Sequence, residues 1–353
     1  VTDEVIQPFR LVPKQQPTVW GGHLLQSRLR KPGSREPIGE SWEVWEGDPV
    51  AAGPFAGMLL EDLVTAHLKE VLGATPLRRS ARFPLLTKFI DAQEPLSVQV
   101  HPTDRWAQDL EGQPNGKTEA WHIVEASPDA WIIHGLTREV DPVTFRRLLE
   151  AGTADDLLRK IKAVPGETIF VPAGTVHAIG PGVLLHEVQQ TSDITYRLYD
   201  WNRQARGSKR ELHLDKGLQV SQLAPSAGGA VLPLVWTEGD SQLGMILATE
   251  YFTVKRVELC GALDLSPAGS TFHIITVLNG NCRLDTTGVQ DSVSVGESMV
   301  VPAYQDRYRL VSEATATVLV EYVADVEAEV LPELKAQGFE ESQIHGFLAQ
   351  FKG

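Results

Sequence analysis

The stretch Gly166-Glu167-Thr168-Ile169-Phe170-Val171-Pro172-Ala173-Gly174-Thr175-Val176-His177 narrows the fold most, because much of it returns as Gly296-Glu297-Ser298-Met299-Val300-Val301-Pro302-Ala303-Tyr304. In both copies a Gly-Glu turn leads into a short apolar strand that stops at Val-Pro-Ala, since proline cannot donate to a sheet ladder. The first copy carries Gly174 and, five residues after the proline, His177. The second has Tyr304 and Arg307 at those places. One unit used twice, once with its histidine and once without, predicts two β domains of like architecture with chemistry only in the first.

Two other stretches belong with the intact copy. Ser97-Val98-Gln99-Val100-His101-Pro102 and Gly116-Lys117-Thr118-Glu119 both read as β structure, where residues two apart share a face. Gln99 therefore lies beside His101, and Lys117 beside Glu119. If these strands meet His177 inside one β domain, two imidazoles, a carboxylate and an amide converge. That set suits one divalent metal with nitrogen and oxygen ligands. Gln99 is the weakest donor of the four and has an alternative use in orienting His101. His122 has the opposite strand parity to Glu119, and His186 points away from Glu187. These two and His134 read as hydrogen-bonded core residues, so one site is expected and not two.

The rest of the chain supports a mainly β reading. Gly39 to Trp45 reads as a strand, taken on its own as an edge strand with Trp42 buried and Glu43 solvated. Apolar spacing over 58–72 predicts an amphipathic helix that Gly73 stops. Residues 82–91 form an apolar strand carrying one charge, Lys88, which either snorkels at the strand end or faces a cavity. Asp141-Pro142 opens a helix, and Thr153 a second one ending near Ile161, giving a helical insertion over about 141–162. Residues 200–230 are polar, with a basic run (Arg203, Arg206, Lys209, Arg210) and then the linker signal Pro225 to Gly229. The expected organisation is a metal-binding domain over 1–224, a second β domain over 230–325, and a helical tail over 326–353.

A formal net charge of -14 disfavours a nucleic-acid partner. It leaves room for a small anionic substrate in a local basic pocket. Only Cys260 and Cys282 are present, too few for a disulfide framework or a thiolate zinc site, which points to a reducing cytoplasm. No apolar run approaches the ~20 residues of a membrane span, and the N-terminus lacks a signal-peptide pattern.

The spacing Gly-x5-Pro-x-Gly-x2-His of the first copy resembles the second signature motif of the cupin barrel, degraded in the second copy. The implied architecture is two cupin-type jelly-roll barrels. More narrowly, the chain resembles the type I phosphomannose isomerase family in its short bacterial form. The resemblance is carried by Gly39 to Val44, Phe83 to Lys88, Leu96 to Pro102, Gly116 to Glu119, Val171 to Gly180 and Thr195 to Asp200. It implies interconversion of mannose 6-phosphate and fructose 6-phosphate with one divalent metal, zinc, held by Gln99, His101, Glu119 and His177. It places the catalytic arginine at Arg197, the active-site lysine at Lys117 and an acidic residue at Glu187. Ser97, Lys88 and Arg203 match positions near the sugar phosphate, although Arg203, as the start of a basic run, also reads as solvated surface. A monomer or weak homo-oligomer is expected, without nucleic-acid or membrane partners.

Aldose–ketose isomerisation moves a proton between C2 and C1 through a cis-enediol(ate), and this inventory is consistent with it. Three alternatives stand beside it: an isomerase of free sugars, a mononuclear-metal dioxygenase of the cupin class, and a non-catalytic sugar-binding protein. Oxygen consumption separates the dioxygenase from the isomerases.

Overall fold

The computed structural model describes residues 5–205 and 208–351. In chain order the first half holds β1 (Lys14–Gly22), β2 (Ile38–Val44), β3 (Leu85–Ala92), β4 (Val98–Val100), β5 (Glu119–Ala126) and β6 (Trp131–Leu136). There follow β7 (Leu158–Lys162), β8 (Thr168–Val171), β9 (His177–Ile179), β10 (Val183–Gln190) and β11 (Tyr196–Tyr199). These pair as two antiparallel sheets, ordered β1-β2-β3-β10-β5-β8 and β11-β4-β9-β6-β7. A short hairpin, β12 (Gln204–Ala205) with β13 (Ser208–Lys209), comes next. The second half holds β14 (Leu234–Glu238), β15 (Ser241–Ala248), β16 (Thr253–Leu265), β17 (His273–Asn279), β18 (Asn281–Asp285), β19 (Gln290–Ser294), β20 (Ser298–Val301) and β21 (Tyr308–Tyr322), joined in one sheet.

The two first-half sheets lie face to face because their strands alternate. Trp121, Ile123 and Leu185 of one pack with Ile132 and Ile179 of the other. Behind the second sheet, Val98, Val100 and Ile133 are covered by Phe145 and Leu149 of a helix over Pro142–Ala151, and by Leu218 and Val220 of one over Leu214–Val220. Behind the first sheet, Phe89, Leu184 and Val188 join a core that continues through Met245, Ile275 and Val318 of the second half.

The mainly β expectation holds, with cupin-like sheets. Among the described residues, however, no sheet pairs its end strands with each other, so the first expected barrel is a pair of open, facing sheets and the second one open sheet. The internal repeat is structural as well. Val171, ahead of Pro172, pairs with Glu119, and Val301, ahead of Pro302, pairs with His273. Both cysteines are free thiols.

Several local expectations are corrected. The helix over 58–72 is two pieces, Leu60–Ala66 and Leu68–Leu72, broken at His67, and Gly73 ends the second at φ 79°. Asp141 caps the next helix by accepting from the Thr144 amide, as expected. The second helix of that insertion is absent. Leu158–Lys162 is instead β7, paired with β6, because Leu158 and Ile161 can align with Leu136 and Ile132 at the sheet edge. The strand at Gly39–Trp45 is also internal, between β1 and β3, and its burial is reversed. Glu43 is buried against Lys31 and Ser41, while Trp42 is half-buried. Helices at Asp104–Glu111 and Leu214–Val220 were not anticipated. The tail is helical over Leu331–Ala336 and Glu341–Ala349, as expected.

Candidate active site

Backbone ties hold three separated segments together. The Gly174 amide donates to the His101 carbonyl at 2.8 Å, and the Lys117 amide to the Pro102 carbonyl at 3.0 Å. Gly116 makes the second approach feasible, since a Cβ there would stand 2.4 Å from the Pro102 carbonyl oxygen. Gly174 takes φ 88° in the turn that returns the chain to His177, a conformation glycine adopts without steric cost. The glycines of the sequence motif thus position the histidines.

His101, Glu119 and His177 converge, each about 1% exposed or less, with one ligand atom from each within 4.8 Å of the others. His101 Nδ1 meets the Ile194 carbonyl at 2.9 Å, and His177 Nδ1 meets the Thr175 carbonyl at 2.8 Å. Both rings therefore donate Nδ1–H outward and turn the Nε2 lone pair inward. Those nitrogens lie 3.5 and 3.4 Å from the Glu119 carboxylate, whose Oε1 is buried without a hydrogen-bond donor. Two inward imidazole lone pairs and an orphaned carboxylate oxygen are the donor set a divalent cation takes. Gln99 is the ladder partner of His177, with its Nε2 3.2 Å from His177 Nε2 and its Oε1 accepting from Ser97. Turning that amide over would present its oxygen to the cluster.

Lys117 reaches the same point, bonding Glu119 and lying 3.0 Å from His101 Nε2. Beyond it, one row of inward residues crosses the first sheet in register: Trp42 opposite Lys88, Lys88 opposite Glu187, Glu187 opposite Trp121. Directly opposed residues share a face, so this row lines a single cavity. Lys88 Nζ sits 3.1 Å from Glu187 and 3.4 Å from Glu40, and the Trp121 indole donates to Glu187 at 2.9 Å. Lys88 faces the cavity, which resolves the choice left open by the sequence.

Burial and charge set the protonation of the cluster. Burial, reinforced for His101 by Lys117, depresses both imidazoles, His177 to about 3, so both stay neutral. Burial, with Glu187 nearby, raises Glu119 to about 7. Burial would raise Glu187 too, but Lys117 and Lys88 outweigh it and hold the group at about 2. Two like carboxylates in one pocket are thus driven apart.

The cavity has a volume of about 380 Å³ and is walled by Lys88, Ser97, Gln99, Lys117, Glu187 and Arg197, with Trp20, Glu40, Trp42, Trp121 and Arg210 among its other residues. Arg197 enters from β11 opposite Gln99, with Nη1 on the Glu211 carbonyl at 2.9 Å. Arg203 is not part of that wall, and bonds Asp200 at 2.6 Å. Arg206 lies outside the described residues, as does the Lys209 side chain. A neighbouring cleft of about 800 Å³ shares Trp42 and Thr195 with this cavity, but its cations Arg82 and Lys216 are spent on Glu46 and Glu111. His122, His134 and His186 take structural partners: Thr168, the Phe170 carbonyl and Glu321.

Sequence reading missed Trp121, Glu40 and Arg210. Trp121 was available by parity, two residues after Glu119 on the same strand. Arg210 carried no such signal, because it reaches the cavity only through the fold of the segment after β11.

Facing antiparallel sheets around one buried His–Glu–His cluster define a protein of the cupin class. Comparison with known proteins narrows this. Residues 9–122 match the model for the catalytic domain of phosphomannose isomerase type I, and residues 243–321 that for the cupin domain of mannose-6-phosphate isomerase. Mannose-6-phosphate isomerase ManA of Bacillus subtilis is 35% identical over 320 residues, covering 86% of this chain and 96% of that protein. Mannose-6-phosphate isomerase of Streptococcus mutans is 32% identical over 302 residues, 84% of this chain and 92% of its own. The crystal structure of mannose 6-phosphate isomerase from Bacillus subtilis superposes with a TM-score of 0.82 at 31% identity, covering 90% of this chain and 99% of that one. The chain belongs to the type I phosphomannose isomerase family, and is an isomerase.

Proposed function

We propose that this isomerase interconverts mannose 6-phosphate and fructose 6-phosphate through a cis-enediol(ate), with one zinc ion held by His101, Glu119, His177 and Gln99. The observation that carries this is a buried His101–Glu119–His177 cluster beside a cavity whose wall holds Gln99, which meets His177, together with Lys88, Lys117 and Arg197. An ion held there supplies charge that polarises the sugar carbonyl and steadies the developing oxyanion.

The protein's own groups do the rest. Glu187, held by Trp121 and Lys88, carries the proton between C2 and C1. Lys117 and Arg197 hold the negative charge of the enediolate, Arg197 as a permanent cation and not a base. Ser97 and Lys88 lie on the phosphate side, with Arg203 one ion pair further back through Asp200. The names of the relatives support the substrate pair. We further propose a catalytic unit over 1–224, a second cupin-type unit over 230–325 and a tail over 326–353, working as a monomer or weak homo-oligomer in a reducing cytoplasm. Two free thiols suit that compartment.

A coupled assay for fructose 6-phosphate formed from mannose 6-phosphate, before and after chelation, tests the reading. Activity is expected to vanish with chelator and return with zinc. Turnover that survives complete metal removal rejects the metal role, and no turnover with any divalent ion rejects the substrate reading.

A further inference from the structure

An isomerase that works at C1 and C2 meets the charge of a 6-phosphate at the opposite end of the carbon chain. The phosphate must therefore sit at the end of the cavity away from His101, Glu119 and His177. Arg210, which has no contact with that cluster, lines this cavity and also borders a more open surface cavity with Pro17, Trp20 and Glu40. Arg210 thus stands at the mouth, between the sugar pocket and the outside.

The group is built in. Its Nε donates to Asp200 Oδ2 at 2.8 Å and its Nη2 to Asp200 Oδ1, a paired contact that fixes the guanidinium plane. Asp200 is only 6% exposed and also receives Arg203 at 2.6 Å. Arg197 is an electrostatic neighbour of Asp200, Arg203 and Arg210 together, and its Nε is buried without an acceptor. Three guanidinium groups therefore gather about one buried carboxylate, in a chain whose formal net charge is -14. The two lysines of the cavity are already matched: Lys88 by Glu187 and Glu40, Lys117 by Glu119. Around Arg197 the acids are Asp200 and Glu211, so three guanidinium groups there face two carboxylates.

We propose that Arg210, clamped by Asp200, is the specificity-determining contact for the substrate's phosphate, with Arg203 positioning Asp200 from behind. This rests on the sugar-phosphate reading above. A phosphate dianion balances the local excess of cations, whereas a free sugar leaves it uncompensated and gains little from the arginine.

The test compares Arg210→Gln, Arg210→Lys and Arg203→Gln in the zinc-loaded enzyme. Arg210→Gln is expected to raise KM for mannose 6-phosphate about tenfold or more, with a smaller fall in kcat, the loss of about one charge-assisted hydrogen bond. Inhibition by inorganic phosphate should weaken in parallel, Arg210→Lys should recover part of both, and Arg203→Gln should change them less. Unaltered KM and phosphate inhibition in a folded Arg210→Gln overturns the assignment. So does a change confined to kcat, or one that Lys does not relieve. Calorimetric binding of inorganic phosphate to wild type and Arg210→Gln separates this from the substrate reading. An anion site lost with Arg210 stands even if mannose 6-phosphate is not turned over. Equal binding by both rejects the site even if it is.

Discussion

Glu119 and Glu187 are two buried carboxylates on neighbouring strands, both inward, and they end in opposite states because their cations are unequally shared. Lys88 and Lys117 both face Glu187, while Trp121 fills its second oxygen. Glu119 keeps one oxygen turned to the histidines without a donor. On the function proposed above, this division separates a ligand from a proton carrier. Glu187→Gln is expected to lower kcat by about 10²–10⁴-fold while leaving the bound metal at one equivalent by elemental analysis. A variant of near wild-type kcat would remove Glu187 from the proton path. His101, Glu119 and His177 were legible because strand parity and the glycine-proline spacing are local properties. Arg210 was not, because the path that brings it to the cavity mouth is set by long-range packing.

The strands themselves explain why Glu43 was misjudged. An isolated reading of Gly39–Trp45 assigns tryptophan to the core and glutamate to water. In the sheet, β2 lies between β1 and β3, its inward side borders the substrate cavity, and its outward side is covered by protein. The polar inner face thus belongs to the site, and Glu43 on the other face is buried with Lys31. Glu43→Ala leaves Lys31 as an uncompensated buried cation, an expected cost of about 3–5 kcal/mol, to be read from denaturant unfolding. The double variant Glu43→Ala with Lys31→Met should regain most of it, and equal stability of the single variant and wild type would refute the buried pair. The segment 153–162 fails for a related reason. Its residues suit a helix or an edge strand, and the vacant edge of β6 selects the strand.

Across the whole molecule, the second half keeps the geometry of the first without its chemistry. His273 occupies the register place of Glu119, but its Nδ1 bonds the Tyr308 hydroxyl at 2.8 Å in a closed interior. Burial, aided by Lys255, holds His273 at about 3, and burial likewise holds His122 at about 3. In the unfolded chain a histidine titrates near ~6.5, so between these values the unfolded state binds protons that the folded state refuses. Stability is then complete above about pH 6.5 and declines as pH falls toward 3. Calorimetric melting should show a lower Tm at pH 5 than at pH 7, with a shallower decline in His273→Gln. A decline as steep in folded His273→Gln as in wild type would exclude neutral burial of that ring. By itself the sequence determined the β class, the repeat with one site lost and the candidate triad of His101, Glu119 and His177, since all of these follow from the period of two and from what glycine and proline permit. Only the tertiary structure decided which faces are inward, where the mouth of the cavity lies and that both halves share one apolar core. Burial, strand order and the meeting of distant loops are non-local, and no single stretch of residues encodes them.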